Sequence, residues 1–243
     1  MSKGRFPVSL VIITLNEADG IARAIQSASF CDDIVVLDSG STDGTREIAA
    51  SLGARVFNEK WLGFQAMKQR ATDLAKNDWV LSLDGDEAVH QDLREELVSL
   101  FESWVSQAPT ADGYRMPRLT WNLGRWIRHG GWYPDLQLRL FNRTRAKWGG
   151  GGHVHERIEA EKVERLRGVL LHDPFKTHAE QVATNNRYSG LGAEELARRG
   201  QRFQCHKLFV KPVSKFIETY VFKRGFLDGL PGFIIAVGAA YSI

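Results

Sequence analysis

Apolar and polar positions alternate in blocks along the first hundred residues. The run VSLVIITL (8–15) is continuously apolar, as expected of a strand buried on both faces of a parallel sheet. Ile21, Ala24, Ile25 and Ala28 then recur at helical spacing. The pattern goes on to predict a strand at DIVVLDSG (33–40), a helix over 43–53 stopped by Gly53, and a short strand ARVFN (54–58). A helix over 64–76, a strand DWVLSLD (78–84) and an amphipathic helix over 91–105 follow. Such alternation predicts an α/β fold, a mostly parallel sheet flanked by helices with right-handed crossovers.

The rhythm changes after about residue 110. GYRMPRLTW (113–121) and DLQLRLFNR (135–143) read as strands, separated by a loop rich in Trp, Arg and Gly. AKWGGGGHVHERIE (146–159) reads as a flexible, glycine-rich stretch, and residues 177–199 are helical in pattern. No repeat or low-complexity linker interrupts the chain. The expected organisation is one domain over 1–206 and a distinct segment over 207–243, where basic residues mix with apolar ones.

Composition narrows the class. A chain of 243 residues, 43% hydrophobic and 25% charged, suits one large globular domain with an appendage. A net charge of +3 gives no reason to expect nucleic acid as a partner. Cys31 and Cys205 are the two cysteines, so no disulfide framework is expected and a reducing, cytosolic setting fits. The first apolar run leads into Asn16-Glu17 rather than a small-residue cleavage site, which argues against a signal peptide. No stretch reaches the roughly 20 apolar residues of a membrane span.

The chemistry concentrates at strand ends. LSLDGDE (81–87) closes an apolar strand with three carboxylates in four residues, and the strand end itself supplies no cations. Two other predicted strands also run into acidic loops, LNE at Asn16-Glu17 and DSGSTDGT with Asp38 and Asp43. A turn with a helix cap would account for the Asp38 loop alone. Three acidic loops at one sheet edge fit a ligand site beyond the strands' carboxyl ends, where Mg²⁺ or Mn²⁺ joins carboxylates to substrate phosphates. Neither GxxxxGK[ST] nor GxGxxG occurs, which weakens ATPase and dinucleotide readings.

VIITLNEADGIARAIQSA, VVLDSGSTDGT and LSLDGDE together resemble the opening motifs of family 2 glycosyltransferases with the GT-A fold. WYPDLQLRLFNR, GGHVHERI and FIETYVFKRGFLDGLPGFIIAVGAAY extend the resemblance to the WaaE-type lipopolysaccharide-core glucosyltransferases. The resemblance implies a strand-end DxD-type motif that binds the metal of a nucleotide-diphosphate sugar. It assigns Leu15, Asn16, Glu17, Asp38 and Asp43 to the nucleotide pocket, with Gln65 and Lys68 on the helix that reaches it. Asp84 would face the ribose, and Asp86 would ligate Mg²⁺ or Mn²⁺. For Lys68 a solvated helix lysine is the competing reading. Family members often recruit a downstream histidine to the metal, for which His155 is the first choice and His172 its rival.

Inverting transfer needs a carboxylate to take the acceptor's proton. The wider family places this base in an ED motif with an Arg a few residues on; here Asp135 matches, with Pro134 in place of the usual acid. Glu156 in HVHE is the alternative base. In TWNLGRWIRHGGWYP, Trp126 and Trp132 offer faces for sugar rings and Arg128 a clamp for phosphate, so this loop is the expected acceptor subsite. Lys207, Lys211, Lys215, Lys223 and Arg224 among aromatic residues point to peripheral contact with anionic lipid. The combined expectation is a metal-dependent enzyme at the inner face of the plasma membrane, moving a hexose (glucose first) from a UDP-sugar to a lipid-linked glycan such as lipopolysaccharide core. Alternatives are transfer to another surface glycan or protein, a sugar nucleotidyltransferase, and a non-catalytic nucleotide-binding module.

Overall fold

The computed structural model describes residues 4–150, 156–200 and 204–242. The apolar pattern predicts most of the chain's first part: β1 (Phe6–Thr14), α1 (Ile21–Ser27), β2 (Cys31–Asp38), α2 (Thr45–Ser51), β3 (Arg55–Asn58), α3 (Phe64–Asp73), β4 (Trp79–Asp84), the unforeseen short β5 (Glu87–Val89), α4 (Gln91–Ser103) and β6 (Gly113–Asn122). Thereafter come β7 (Arg125–Ile127), β8 (Asp135–Asn142), β9 (Lys147–Gly149), β10 (Arg157–Glu159), β11 (Val163–Arg165) and β12 (Leu170–His172). The C-terminal part is helical: α5 (His178–Arg198), α6 (Cys205–Ile217), a π-helical turn Glu218–Phe222, a 3₁₀ turn Gly225–Asp228 and α7 (Gly229–Tyr241).

The described residues fall into two compact units. Residues up to Arg118 together with Leu136–His172 form the first; Leu119–Asp135 and the chain from Asp173 onward form the second.

In the first unit the strand order is β3-β2-β1-β4-β8-β6-β12-β5, with β11 beside β6. β3, β2, β1 and β4 are parallel, while β8 lies antiparallel to β4. β1 sits centrally and is buried from Val8 to Thr14. Its alternate side chains feed two cores. Val8, Leu10 and Ile12 join Ile21, Ala24 and Ile25 of α1 and Leu93, Leu97 and Phe101 of α4; Val11 and Ile13 join Met67 and Ala71 of α3. At about 1.5–3 kcal/mol for each large apolar side chain buried, this two-sided burial explains why β1 carries no polar face. Because β1, β2 and β4 run parallel, their carboxyl ends bring Asn16, Asp38 and Asp84 to one edge.

Two stretches differ from expectation. The glycine-rich stretch is in part ordered sheet: β9 pairs antiparallel with β10, and Trp148 is buried among Val11, Phe141 and Met67, an apolar anchor that outweighs the glycines' freedom. The presumed loop between the later strands contains β7, which folds back on β6 with Trp121 opposite Trp126, inside the second unit. Its turn is Leu123-Gly124, both at positive φ (50° and 83°), the geometry of a tight hairpin. No described helix is long and apolar enough to cross a membrane.

Candidate active site

The loops after β1 and β2 are tied to each other. Asn16, at φ 55°, donates its backbone N–H to Ser41 Oγ (2.8 Å), and its Oδ1 accepts from Thr42 N (2.9 Å). Glu17 N donates to Thr45 Oγ1 and Ala18 N to Asp43 Oδ2 (2.9 and 3.0 Å). Asp43 Oδ1 accepts from Thr45 N and Thr45 Oγ1, and these bonds hold its carboxyl below the usual carboxylate range. Asp38 is fully buried: Oδ1 accepts from Gly40 N and Ser41 N, and Oδ2 from Ser41 Oγ. The cap-and-turn chemistry of this loop is therefore real, and it gives the edge a fixed shape. Leu15, half exposed, and Asn16 remain open to solvent.

The DGDE turn is built differently. The sequence suggested that no cations accompany its acids; three arrive from distant segments. Lys68 on α3 lies 3.0 Å from Asp84 Oδ1, and Arg139 on β8 donates to Asp84 Oδ2 and to Glu87 Oε1, both at 2.6 Å. Arg118 on β6 adds a bond to the same Glu87 oxygen (3.0 Å), and Glu87 Oε2 accepts from Asp84 N. Burial alone would raise the Asp84 carboxyl, but Arg139 and Lys68 outweigh it and hold that carboxyl far below the ordinary range. The same two anions, against the opposing effect of burial, push Arg139 still further into its charged form. Charges this deeply buried persist because they are paired.

Lys68 is not a solvated helix lysine. It is 4% exposed, sits over the Trp148 ring, and also donates to Glu156 Oε1 (3.3 Å). Gln65, one turn earlier on α3, is exposed and reaches the carbonyl of Trp148.

Asp86 stands apart from this network. Its Oδ1 is buried without a hydrogen-bond partner among the described residues, and its Oδ2 lies 3.4 Å from His172 Nε2. The turn's glycine leaves no room for a larger residue, since a Cβ on Gly85 would come within 2.9 Å of Glu17 Cγ. A carboxylate oxygen left unpaired beside an imidazole nitrogen is a donor set that suits a hard divalent cation. Among the described residues, no three His, Cys, Asp or Glu side chains gather as a complete protein cage. The first-choice metal histidine, His155, lies outside the described residues; the rival His172 is the one found beside Asp86.

The second unit holds the remaining candidates. Asp135 opens β8, and alternation along that strand puts it on the same face as Arg139. Trp126 is half-buried against Trp121 in an edge-to-face contact at 5.1 Å, Arg128 is exposed, and Trp132 is half-buried. Sequence reasoning counted Glu87 among the strand-end acids but gave Arg139 no role beside them. The available signal for Arg139 was its place a few residues after Asp135, where the wider family's ED motif is followed by an Arg, on the Asp135 face of an alternating strand.

Comparison with known proteins agrees with this geometry. Residues 9–156 match the model of glycosyl transferase family 2. The chain is 33% identical to the lipopolysaccharide core biosynthesis glycosyltransferase LpsC of Rhizobium meliloti, over 98% of this chain and 90% of that protein. It is 30% identical to an uncharacterized glycosyltransferase of Rickettsia typhi, over 97% of this chain and 83% of the relative. Among solved structures, glucosyl-3-phosphoglycerate synthase from Mycobacterium tuberculosis in complex with Mn²⁺, uridine-diphosphate and phosphoglyceric acid superimposes with a TM-score of 0.50 at 19% identity. That match covers 83% of this chain and 81% of the synthase. The chain belongs to glycosyltransferase family 2 and has the GT-A fold.

Proposed function

We propose that this glycosyltransferase moves a hexose, glucose first among the candidates, from a UDP-sugar to a lipid-linked glycan of the lipopolysaccharide-core kind, with inversion at the anomeric carbon. The observation that carries the reading is the buried Asp86 Oδ1 beside His172 at the end of β4, an oxygen with no hydrogen-bond partner among the described residues. The full-length likeness to a lipopolysaccharide core glycosyltransferase supports the acceptor class.

Asp86 and His172 would hold the metal. A bound Mg²⁺ or Mn²⁺ would neutralise the donor's diphosphate and ease its departure. The nucleoside end of the donor lies against Leu15, Asn16 and Glu17, over a floor shaped by Asp38 and Asp43. Asp84, kept ionised by Arg139 and Lys68, accepts from a ribose hydroxyl, and Gln65 borders the same pocket. The acceptor hydroxyl oxygen attacks the anomeric carbon, the bond from that carbon to the diphosphate oxygen breaks, and a carboxylate takes the hydroxyl proton. Asp135 is the base in this reading, and Glu156, which Lys68 contacts, is its rival. Trp126, Arg128 and Trp132 bind the acceptor by stacking and by phosphate contact.

The segment 207–243 attaches the enzyme to the cytosolic membrane surface. Phe209, Phe222, Phe226 and Leu230 are exposed on it, with Lys211 and Arg224 between them. The deciding assay is UDP release from a panel of UDP-hexoses with lipopolysaccharide core as acceptor, with and without a chelator. The reading predicts metal-dependent release with one preferred hexose. Release undiminished by the chelator, or no release with any glycan, would overturn it.

A further inference from the structure

The loop after β6 and the C-terminal segment, 100 residues apart in sequence, meet at one carboxylate. Asp228 is 1% exposed and is the sole charged residue after Arg224. Its Oδ2 accepts from the backbone N–H groups of Arg128 (3.0 Å) and His129 (2.7 Å). Its Oδ1 lies 3.1 Å from His129 Nδ1 and 3.7 Å from Arg125 Nη2, and Arg125 Nη1 donates to the Asp228 carbonyl at 2.8 Å. A second tie runs from Gly130 N to the Lys223 carbonyl (2.8 Å).

Both sides of this junction need it. Gly130 and Gly131 are in left-handed conformations (φ 68° and 83°), which glycine adopts readily where the chain turns after β7. The turn carrying Asp228 is closed backbone on backbone: a Cβ on Gly232 would fall 1.9 Å from the Gly225 carbonyl oxygen. A tightly closed turn thus presents a buried carboxylate to the end of β7 and binds two amides just beyond it.

We propose that Asp228 is a positioning residue for the acceptor: the C-terminal segment builds the 125–132 loop rather than serving only as a membrane attachment. The proposal rests on the reading of that loop as the acceptor subsite. Asp228 orients the Arg128 and Trp132 neighbourhood by fixing the backbone and touches no sugar itself. Acceptor affinity is then set in part by a residue in the segment that also carries the apolar surface.

The test compares the full wild-type chain with Asp228→Ala and Asp228→Asn. Amide hydrogen exchange over 123–132 reads the loop directly. Steady-state kinetics use deacylated lipopolysaccharide core oligosaccharide, which removes membrane attachment from the measurement, and UDP binding reports the donor side. Asp228→Ala is expected to speed exchange at Arg128 and His129 and to raise the acceptor KM, each about 10-fold, the scale of leaving buried donors unpaired, with kcat and UDP affinity within about 2-fold of wild type. Asp228→Asn, which keeps one acceptor oxygen for the two amides, should recover part of both effects. Unchanged exchange in Asp228→Ala, or loss of UDP affinity in parallel with acceptor affinity, overturns the proposal. If Asp228→Ala does not fold, the same readouts on Asp228→Asn decide. Faster exchange in a protein whose wild type ignores the oligosaccharide overturns the acceptor role while leaving the tie intact, so the two failures are told apart.

Discussion

The two units solve opposite problems. The first hides its charges: Asp84, Glu87, Lys68, Arg118 and Arg139 form a compensated cluster under the DGDE turn, and two apolar cores lie on either side of β1. Among the described residues, the second hides one carboxylate, Asp228, buries few large apolar side chains beyond Leu119, Ile127 and Ile235, and carries most of the exposed ones, from Val182 to Tyr241. A self-compensated unit can hold a polyanionic donor in a fixed geometry without outside help. A unit with this much exposed apolar surface is the one that the proposed membrane contact would cover. The contrast is between a site rigid by its own ion pairs and a surface completed by what it touches.

The largest effect should come from Asp86, whose Oδ1 has no hydrogen-bond partner among the described residues. Asp86→Ala is expected to lower transfer by about 10³-fold or more, because charge on the departing diphosphate loses its stabilisation. Chelation of the wild type should mimic the substitution, and isothermal titration with Mn²⁺ should lose its signal in the variant. An Asp86→Ala enzyme with near-normal turnover would break the assignment.

Glu87→Ala tests whether the cluster is structural. Removing this fully buried anion strands Arg139 beside one remaining partner, and denaturant unfolding should show a loss of about 3–5 kcal/mol. Acid offers a milder probe of the same cluster. Asp84 has its carboxyl depressed in the fold, so the stability it contributes is present in full above about pH 4, the unfolded carboxylate value, and is lost as pH falls through the lower folded value. Unfolding that begins well above pH 4 would point to other groups.

Asp135→Asn comes next, with an expected fall in kcat of about 10²-fold and UDP-sugar affinity preserved, the signature of a lost general base. Single-turnover kinetics separate the two quantities. Should Glu156→Gln behave that way and Asp135→Asn not, the roles are exchanged, and Lys68 becomes the cation that releases Glu156 for chemistry.

How far the site could be read beforehand differs between the units for a physical reason. β1, β2 and β4 are continuous apolar runs whose period and length are local properties, so their strand ends and the acids on them were legible, whereas β7 and its hairpin with β6 read as loop. The partners of those acids were not legible either. Arg139 stands 52 residues from Glu87 and Lys68 stands 16 from Asp84, and on an alternating strand or a helix a basic residue reads as a solvated face until the sheet closes. Asp228 was invisible for the opposite reason. A single acid in RGFLDGLPGF looks like an accident of an apolar segment, and its significance lies in two backbone amides, the His129 ring and Arg125 about a hundred positions away.

The smallest effect expected is at the lipid surface, and it bears on the second half of the comparison. Each Lys or Arg near an anionic membrane contributes about 1 kcal/mol, so reversing Lys211 and Arg224 together to Glu should weaken vesicle binding by about 10- to 30-fold while leaving the fold intact. Lys215 and Lys223 are poorer choices because both pair with Glu218, and reversing them would disturb the π-helical turn as well as the surface. Flotation with phosphatidylglycerol vesicles at low salt reads the difference. Salt is the internal control: added electrolyte should erase the gap between variant and wild type but leave the contribution of Phe209, Phe222 and Leu230, which screening does not touch. If wild type and variant both remain unbound at low salt, the exposed apolar face of the second unit is covered by something other than lipid, and the contrast drawn between the units holds with a different partner.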